Sequence, residues 1–197
     1  MVTSRQTSSV FAVVLAAGSA SRYGSVKQLA EIDGVPLVHR ANSVAAGVCG
    51  NRTVLVTGYE WQAVSAACAP MSGFLIVNES HADGLGTSIA AAVRSVRHIA
   101  QAIVVLLADQ PMVTAEHVQA LCDAWSGADD EIVATAFADT VGAPVLFPSG
   151  CFDELAMLRG DAGGRHLLSD DRFNVTKIMF EPAAIDVDTP DDFNKLN

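Results

Sequence analysis

Residues 15–27, LAAGSASRYGSVK, put two cations, Arg22 and Lys27, into a loop of glycines and small side chains. Small residues let backbone N–H groups come close to phosphate oxygens. Arg22 offers a planar fork for bidentate contact, and Lys27 a mobile point charge. The loop matches neither the Gly-Lys-Ser/Thr phosphate loop nor the GxGxxG dinucleotide fingerprint. Alone, it is equally a glycine-rich turn with two solvated cations. Asp109 lies in LADQP, directly after the apolar run Ala102–Leu107. A carboxylate at the carboxyl end of a parallel strand, opposite a phosphate-binding loop, suits Mg²⁺, which takes one or two carboxylates plus substrate phosphates. A turn cap before Pro111 would use the same residue. Asp186 and Asp188 are two apart in an extended segment, share a face, and are candidates for a second metal-binding carboxylate.

Two more loops are fitted to recognise ligands. Residues 78–88, NESHADGLGTS, lead through two glycines into a helix N-terminus, an anion- and hydrogen-bonding site suited to a base or ribose. His81 within it reads as an exposed loop residue. Residues 160–165, GDAGGR, set Asp161 and Arg165 among three glycines. That loop fits a second ligand, or a helix connection capped by Asp161.

Positioning these groups falls to an alternation of apolar runs and helical patterns. Strands are expected at Val10–Leu15, Thr53–Thr57, Phe74–Val77 and Ala102–Leu107. Helices are expected at Pro36–Val48, Tyr59–Ala69, Ser88–Ile99 (capped by Thr87 or Ser88) and Thr114–Trp125 (capped by Thr114). This order implies a parallel sheet covered on both faces. The rhythm then changes to an antiparallel excursion, Ile132–Phe137 and Val141–Phe147. Short helices at Cys151–Leu158 and Gly164–Leu168 follow, then a strand at Asn174–Phe180 and an extended segment at Ile185–Val187. A final helix starts at Pro190, with Thr189 as cap and Asp191 and Asp192 in its first turn.

The chain has 197 residues, half of them apolar, which suits one α/β domain over 10–197 behind a flexible tail, 1–9. A net charge of −10 leaves no basic footprint for nucleic acid and repels anionic membranes. No apolar run is long enough to span a bilayer, and the polar N-terminus lacks a signal-peptide core. Cys49, Cys68, Cys122 and Cys151 are scattered and read as small buried hydrophobes rather than zinc ligands or disulfides. A reducing cytoplasm fits.

Taken in order, LAAGxSxRxGxxKQ, Nx₅GLGTS, LLADQP, PVLF, GDxGGR and DVDTPDD resemble the molybdenum cofactor nucleotidyltransferases, the MobA-like NTP transferases. The cytidylyl-transferring branch is the most similar, from about Phe11 to Phe193. The resemblance implies a Rossmann-like, glycosyltransferase-A type fold. It implies Mg²⁺-dependent transfer of a nucleotide monophosphate from an NTP to the terminal phosphate of a molybdopterin-type cofactor, with release of pyrophosphate. It assigns Leu15, Ala16, Ala17, Gly18, Arg22, Lys27, Gly84, Gly86 and Ser88 to the nucleotide, with Arg22, Lys27 and Asp109 catalytic. Asp109, Asp188 and Asp186 fall on the metal; Pro144, Gly160, Asp161, Gly163 and Arg165 fall on the acceptor. Ala17 stands where guanylyl-transferring relatives carry glycine, which implies CTP as the donor. Tyr23 replaces a common Met. A molybdenum hydroxylase apoenzyme is implied as a further partner. Open alternatives are guanylyl transfer, another phosphorylated acceptor, a flavin-binding protein on this scaffold, or a non-catalytic cofactor carrier or insertion chaperone.

Overall fold

The computed structural model describes residues 9–18, 26–187 and 192. Val10–Ala16 (β1) is buried along its whole length, as an uninterrupted apolar run in a central parallel strand should be. Glu31–Ile32 (β2) and Val35–Pro36 (β3) make a small antiparallel hairpin. Leu37–Cys49 (α1), Thr53–Thr57 (β4), Trp61–Ala66 (α2), Phe74–Val77 (β5), Leu85–Val96 (α3), Ala102–Leu107 (β6) and Ala115–Ala124 (α4) then alternate. Glu131–Phe137 (β7), Thr140–Pro148 (β8), Phe152–Leu155 (α5) and Asn174–Met179 (β9) complete the described elements, with 3₁₀ turns between them.

The seven-stranded sheet has the order β5-β4-β1-β6-β8-β7-β9. Strands β5, β4, β1 and β6 are mutually parallel. Strand β8 runs antiparallel to both its neighbours, β6 and β7, and β9 is parallel to β7. The mostly parallel α/β architecture and the antiparallel excursion are as expected. Period-2 alternation sends Phe11, Val13 and Leu15 to one face and Val10, Ala12, Val14 and Ala16 to the other. The first face packs against Ile89 and Val93 of α3 and Phe152 of α5. The second packs against Val38 of α1, Val64 of α2 and Val118 and Leu121 of α4.

Several boundaries differ from the expectation. The helix expected from Ser88 starts at Leu85, with Gly84 rather than Thr87 or Ser88 as its cap, and ends at Val96. Gly84 adopts φ +103, open to glycine, so the chain turns into the helix three residues before Thr87. The helix expected over Tyr59–Ala69 shortens to Trp61–Ala66. Cys151–Leu158 reduces to a 3₁₀ turn plus α5, and Gly164–Leu168 is a 3₁₀ helix, Gly164–Ser169. Ser9, assigned to the tail, is held in the fold: its carbonyl accepts from Gln101 N–H. The β2–β3 hairpin was missed, although Asp33-Gly34, with φ of 53 and 73, is the Asp-Gly signal of a type I′ turn. Of the terminal helix, only Asp192 is described, in helical conformation; residues 1–8 also lie outside the described residues.

All four cysteines are buried and unpaired. Burial pushes the thiols of Cys49 and Cys68 up to about 11, and those of Cys122 and Cys151 up to about 12, so they act as inert hydrophobes. No helix among the described residues is long and apolar enough to cross a membrane.

Helix α4 starts as expected, Thr114 accepting from His117 N–H. The His117 ring is buried, stacks on Phe180 and meets the Thr135 hydroxyl. Burial holds its pKa below the usual histidine value. The unfolded chain therefore takes up, near pH 6.5, a proton that the folded chain resists, and stability rises with pH in that range. The Asp170 carboxylate, held down to about 2 by its hydrogen bonds from Arg172, contributes only at lower pH. Urea midpoints should fall as pH is lowered from about 7 to about 5, with a flatter dependence in His117→Gln. Parallel profiles for the two proteins would contradict this.

Candidate functional site

The carboxyl ends of β1 and β6 lie side by side, with Leu15 in register with Leu107. One more hydrogen bond, Ala108 N–H to Leu15 carbonyl at 3.1 Å, carries the pairing past the strand end. This fixes where Asp109 emerges. After the glycine-rich loop, a 3₁₀ turn (Lys27–Leu29) brings the chain back to the same place. Lys27 Nζ then donates to Asp109 Oδ2 at 2.7 Å, with both side chains largely buried, at 19% and 27% exposure. The other carboxylate oxygen, Asp109 Oδ1, is buried and has no hydrogen-bond partner among the described residues.

Lys27 and Asp109 line a cavity of about 310 Å³ with Leu15, Ala17, Gly18, Gln28, His81, Gly84, Ser88 and Asp161. The sheet end, the loop before α3 and the 160–165 loop thus meet at one place, as a switch-point crevice does. Gln28 closes one side. It is 6% exposed and donates its amide N–H to the Gly18 carbonyl at 2.9 Å. That bond ties the end of β1 to the Lys27 turn.

The loop before α3 is organised by Asn78, 7% exposed. Its amide donates to Thr87 Oγ1 and Ser88 Oγ and accepts from Ser80 N–H. Each hydrogen-bonding group of this buried amide is used in place. Gly84 and Gly86 then press against the 160–165 loop. Gly86 N–H donates to the Gly160 carbonyl at 2.8 Å. A Cβ on Gly84 would lie 2.3 Å from the Gly160 carbonyl carbon, and one on Gly86 2.7 Å from Ala162 O.

A second, more apolar groove of about 450 Å³ shares Leu15, Leu85 and Leu107 with the first cavity. Gly142, Ala143, Gly163 and Arg165 line it further along. Arg165 Nη2 donates to Thr140 Oγ1 at 2.8 Å.

The residues singled out in the sequence divide accordingly. Leu15, Ala17, Gly18, Lys27, Asp109, Gly84, Ser88 and Asp161 come together at the first cavity, and Gly163 and Arg165 at the groove. Ala16 packs into the α1 and α4 face of the core. Gly86 and Gly160 join the two loops instead of facing the cavity. Pro144 is buried, and its carbonyl accepts from Thr135 Oγ1 at 2.7 Å. Asp186 is exposed and lies on an irregular stretch, while its neighbour Val187 donates its N–H to the Asp109 carbonyl at 2.9 Å. Arg22 and Asp188 lie outside the described residues. Among the described residues no three His, Cys, Asp or Glu side chains cluster closely enough to hold a metal unaided. The donor set still fits a hard cation, because Asp109 presents a buried oxygen with no partner among the described residues and Mg²⁺ completes its shell with phosphates and water.

Sequence reasoning missed Gln28, whose signal was a polar residue beside Lys27 in an otherwise apolar turn. It also set His81 aside as an exposed loop residue. His81 lines the cavity, and its side chain lies on Gly58, where a Cβ would come 2.4 Å from the His81 Cβ and 2.5 Å from the ring.

Residues 12–175 match the family described as MobA-like NTP transferase domain. Among solved structures, Rv0371c from Mycobacterium tuberculosis H37Rv superposes with a TM-score of 0.84 at 32% identity, covering 96% of this chain and 97% of that one. The same protein complexed with manganese gives a TM-score of 0.79 at 31% identity, covering 95% and 97%. Molybdopterin-guanine dinucleotide biosynthesis protein A from Archaeoglobus fulgidus shares the fold, with a TM-score of 0.70 at 23% identity and coverage of 94% and 95%. Purine catabolism protein PucB of Bacillus subtilis (strain 168) is 30% identical over 117 residues, 57% of this chain. The chain spans little more than half of that curated relative's length, 56%.

Replacing Gly84 by Ala should force the two loops apart. The new Cβ meets backbone, and φ +103 strains any L residue, so a loss of about 1–3 kcal/mol is expected in urea denaturation. A Gly84→Ala protein as stable as wild type would contradict the close loop contact.

Proposed function

The chain belongs to the MobA-like NTP transferase family, and from that premise we propose that it transfers a cytidylyl group from Mg-CTP to the terminal phosphate of a molybdopterin-type cofactor, releasing pyrophosphate. Residues 10–197 act as one nucleotidyltransferase domain. The observation that carries this reading is the Lys27–Asp109 pair beside the end of β1, with Asp109 Oδ1 unpartnered among the described residues.

In this reading Ala17, Gly18 and Lys27, together with Arg22, hold the triphosphate. The loop from Gly84 to Ser88 faces the nucleoside. Asp109, with Asp188 and Asp186 as candidates for the second carboxylate, holds the divalent cation, which when bound neutralises charge on the phosphates. The existence of a manganese complex of Rv0371c supports use of a divalent ion. Lys27 holds the Asp109 carboxylate in a fixed direction and supplies positive charge where the transferred phosphorus gains charge. The acceptor phosphate is ionised at neutral pH, so no protein base is needed to activate it. Ala17 puts a methyl group on the cavity wall where guanylyl-transferring relatives carry glycine, which favours the smaller pyrimidine. The apolar groove with Gly163 and Arg165 takes the acceptor, and a molybdenum hydroxylase apoenzyme is the proposed recipient of the product.

The test is to incubate the protein with each Mg-NTP and molybdopterin-type cofactor and to identify the product by mass. CTP should give a cytidine dinucleotide; product from GTP alone would overturn the donor. Asp109→Asn should lower pyrophosphate release by about a thousandfold without loss of fold. Wild-type release from that variant would falsify the metal assignment.

A further inference from the structure

We propose that His117 and Thr135 are positioning residues that set the shape of the apolar groove from the opposite face of the sheet, and thereby govern binding of the acceptor. The acceptor part rests on the reading of that groove given above.

The groove exists because β8 leaves β6. Their pairing ends at Val105 with Val145, whereas β6 runs on to Leu107 beside β1. On its other side, β8 changes register against β7. Ala134 is opposite Val145, but Thr135 is opposite Gly142. Ala143 and Pro144 therefore have no partner residue on β7 at this bulge. Ala143 and Gly142 line the groove.

A bulge at this point creates a problem of hydrogen bonding. Pro144 is buried, has no N–H, and lies outside the register with both β6 and β7. An unsatisfied carbonyl there would be unfavourable. Thr135, fully buried, solves it: its hydroxyl donates to Pro144 O at 2.7 Å. Having given its single hydrogen, Thr135 Oγ1 accepts from His117 Nε2–H at 2.8 Å. The imidazole is thus held with its proton on Nε2. Phe180 fixes the ring plane, with centroids 4.1 Å apart and 11° between planes. The chain of contacts runs from α4, none of whose residues lines the groove, through the sheet to the bulge that does. Apolar side chains of the same size would fill this space but would not fix where the bulge carbonyl points; a satisfied polar network does.

Thr135→Val keeps the side-chain shape and removes the hydroxyl, while Thr135→Ser keeps the hydroxyl. In the substrate-free protein, Thr135→Val should speed amide exchange over residues 141–145 by about tenfold, with Thr135→Ser unchanged. In the transfer assay, Thr135→Val should raise KM for the molybdopterin-type acceptor by about tenfold and leave KM for CTP within about twofold. Should the Val variant fail to fold, His117→Leu against His117→Gln puts the same question at the other end of the relay. Valine and serine variants alike in exchange, or equal changes in both KM values, would overturn the proposal. Exchange is read without substrate, so a wrong acceptor and a wrong relay give different results.

Discussion

The contact between Lys27 Nζ and Asp109 Oδ2 is the point on which the site depends. The two residues are 82 apart in sequence, and two separate structures must agree for them to meet. One is the register of β1 against β6, which delivers Asp109 at a fixed height beside Leu15. The other is the short turn from Lys27 to Leu29, anchored by Gln28 on the Gly18 carbonyl. The pair sits in a chain of net charge −10. Local placement of a cation, rather than the field of the whole molecule, must therefore attract an anionic ligand.

Around that pair, backbone contacts do most of the assembly. Gly84 and Gly86 bring the loop before α3 against the 160–165 loop at distances that no side chain allows. Asn78 holds the start of that loop through three hydrogen bonds. Two segments about 75 residues apart behave as one wall of the cavity because glycine lets main chains touch. The residues of greatest chemical interest are thus supported by residues whose contribution is to have little or no side chain.

The antiparallel strand β8 supplies the second half of the architecture. Inserted between β6 and β7, it follows β6 only as far as Val145 and then departs, which opens an apolar groove beside the cavity. The Thr135 hydroxyl on the bulge carbonyl links the shape of that gap to α4 on the far face.

The apolar runs, their β-branched residues and the helical patterns between them were enough to read the alternating elements, the parallel sheet and its antiparallel tail. The ordered motifs were enough to read the family. Burial of a continuous apolar strand and the 3.6-residue period are local constraints, and a local pattern records them. The Asp33-Gly34 hairpin was also written locally and went unread. What the pattern could not carry was which residues of a motif line the cavity and the groove. Pro144, Gly86 and Gly160 belong to the same motifs as Arg165 and Gly84, yet they are spent on loop and bulge contacts. Gln28 and His81 carried no strong signal, yet both line the cavity. These assignments depend on strand register, on backbone approach between distant loops and on where β8 leaves the sheet. Those are long-range packing outcomes, so only the tertiary structure decided them.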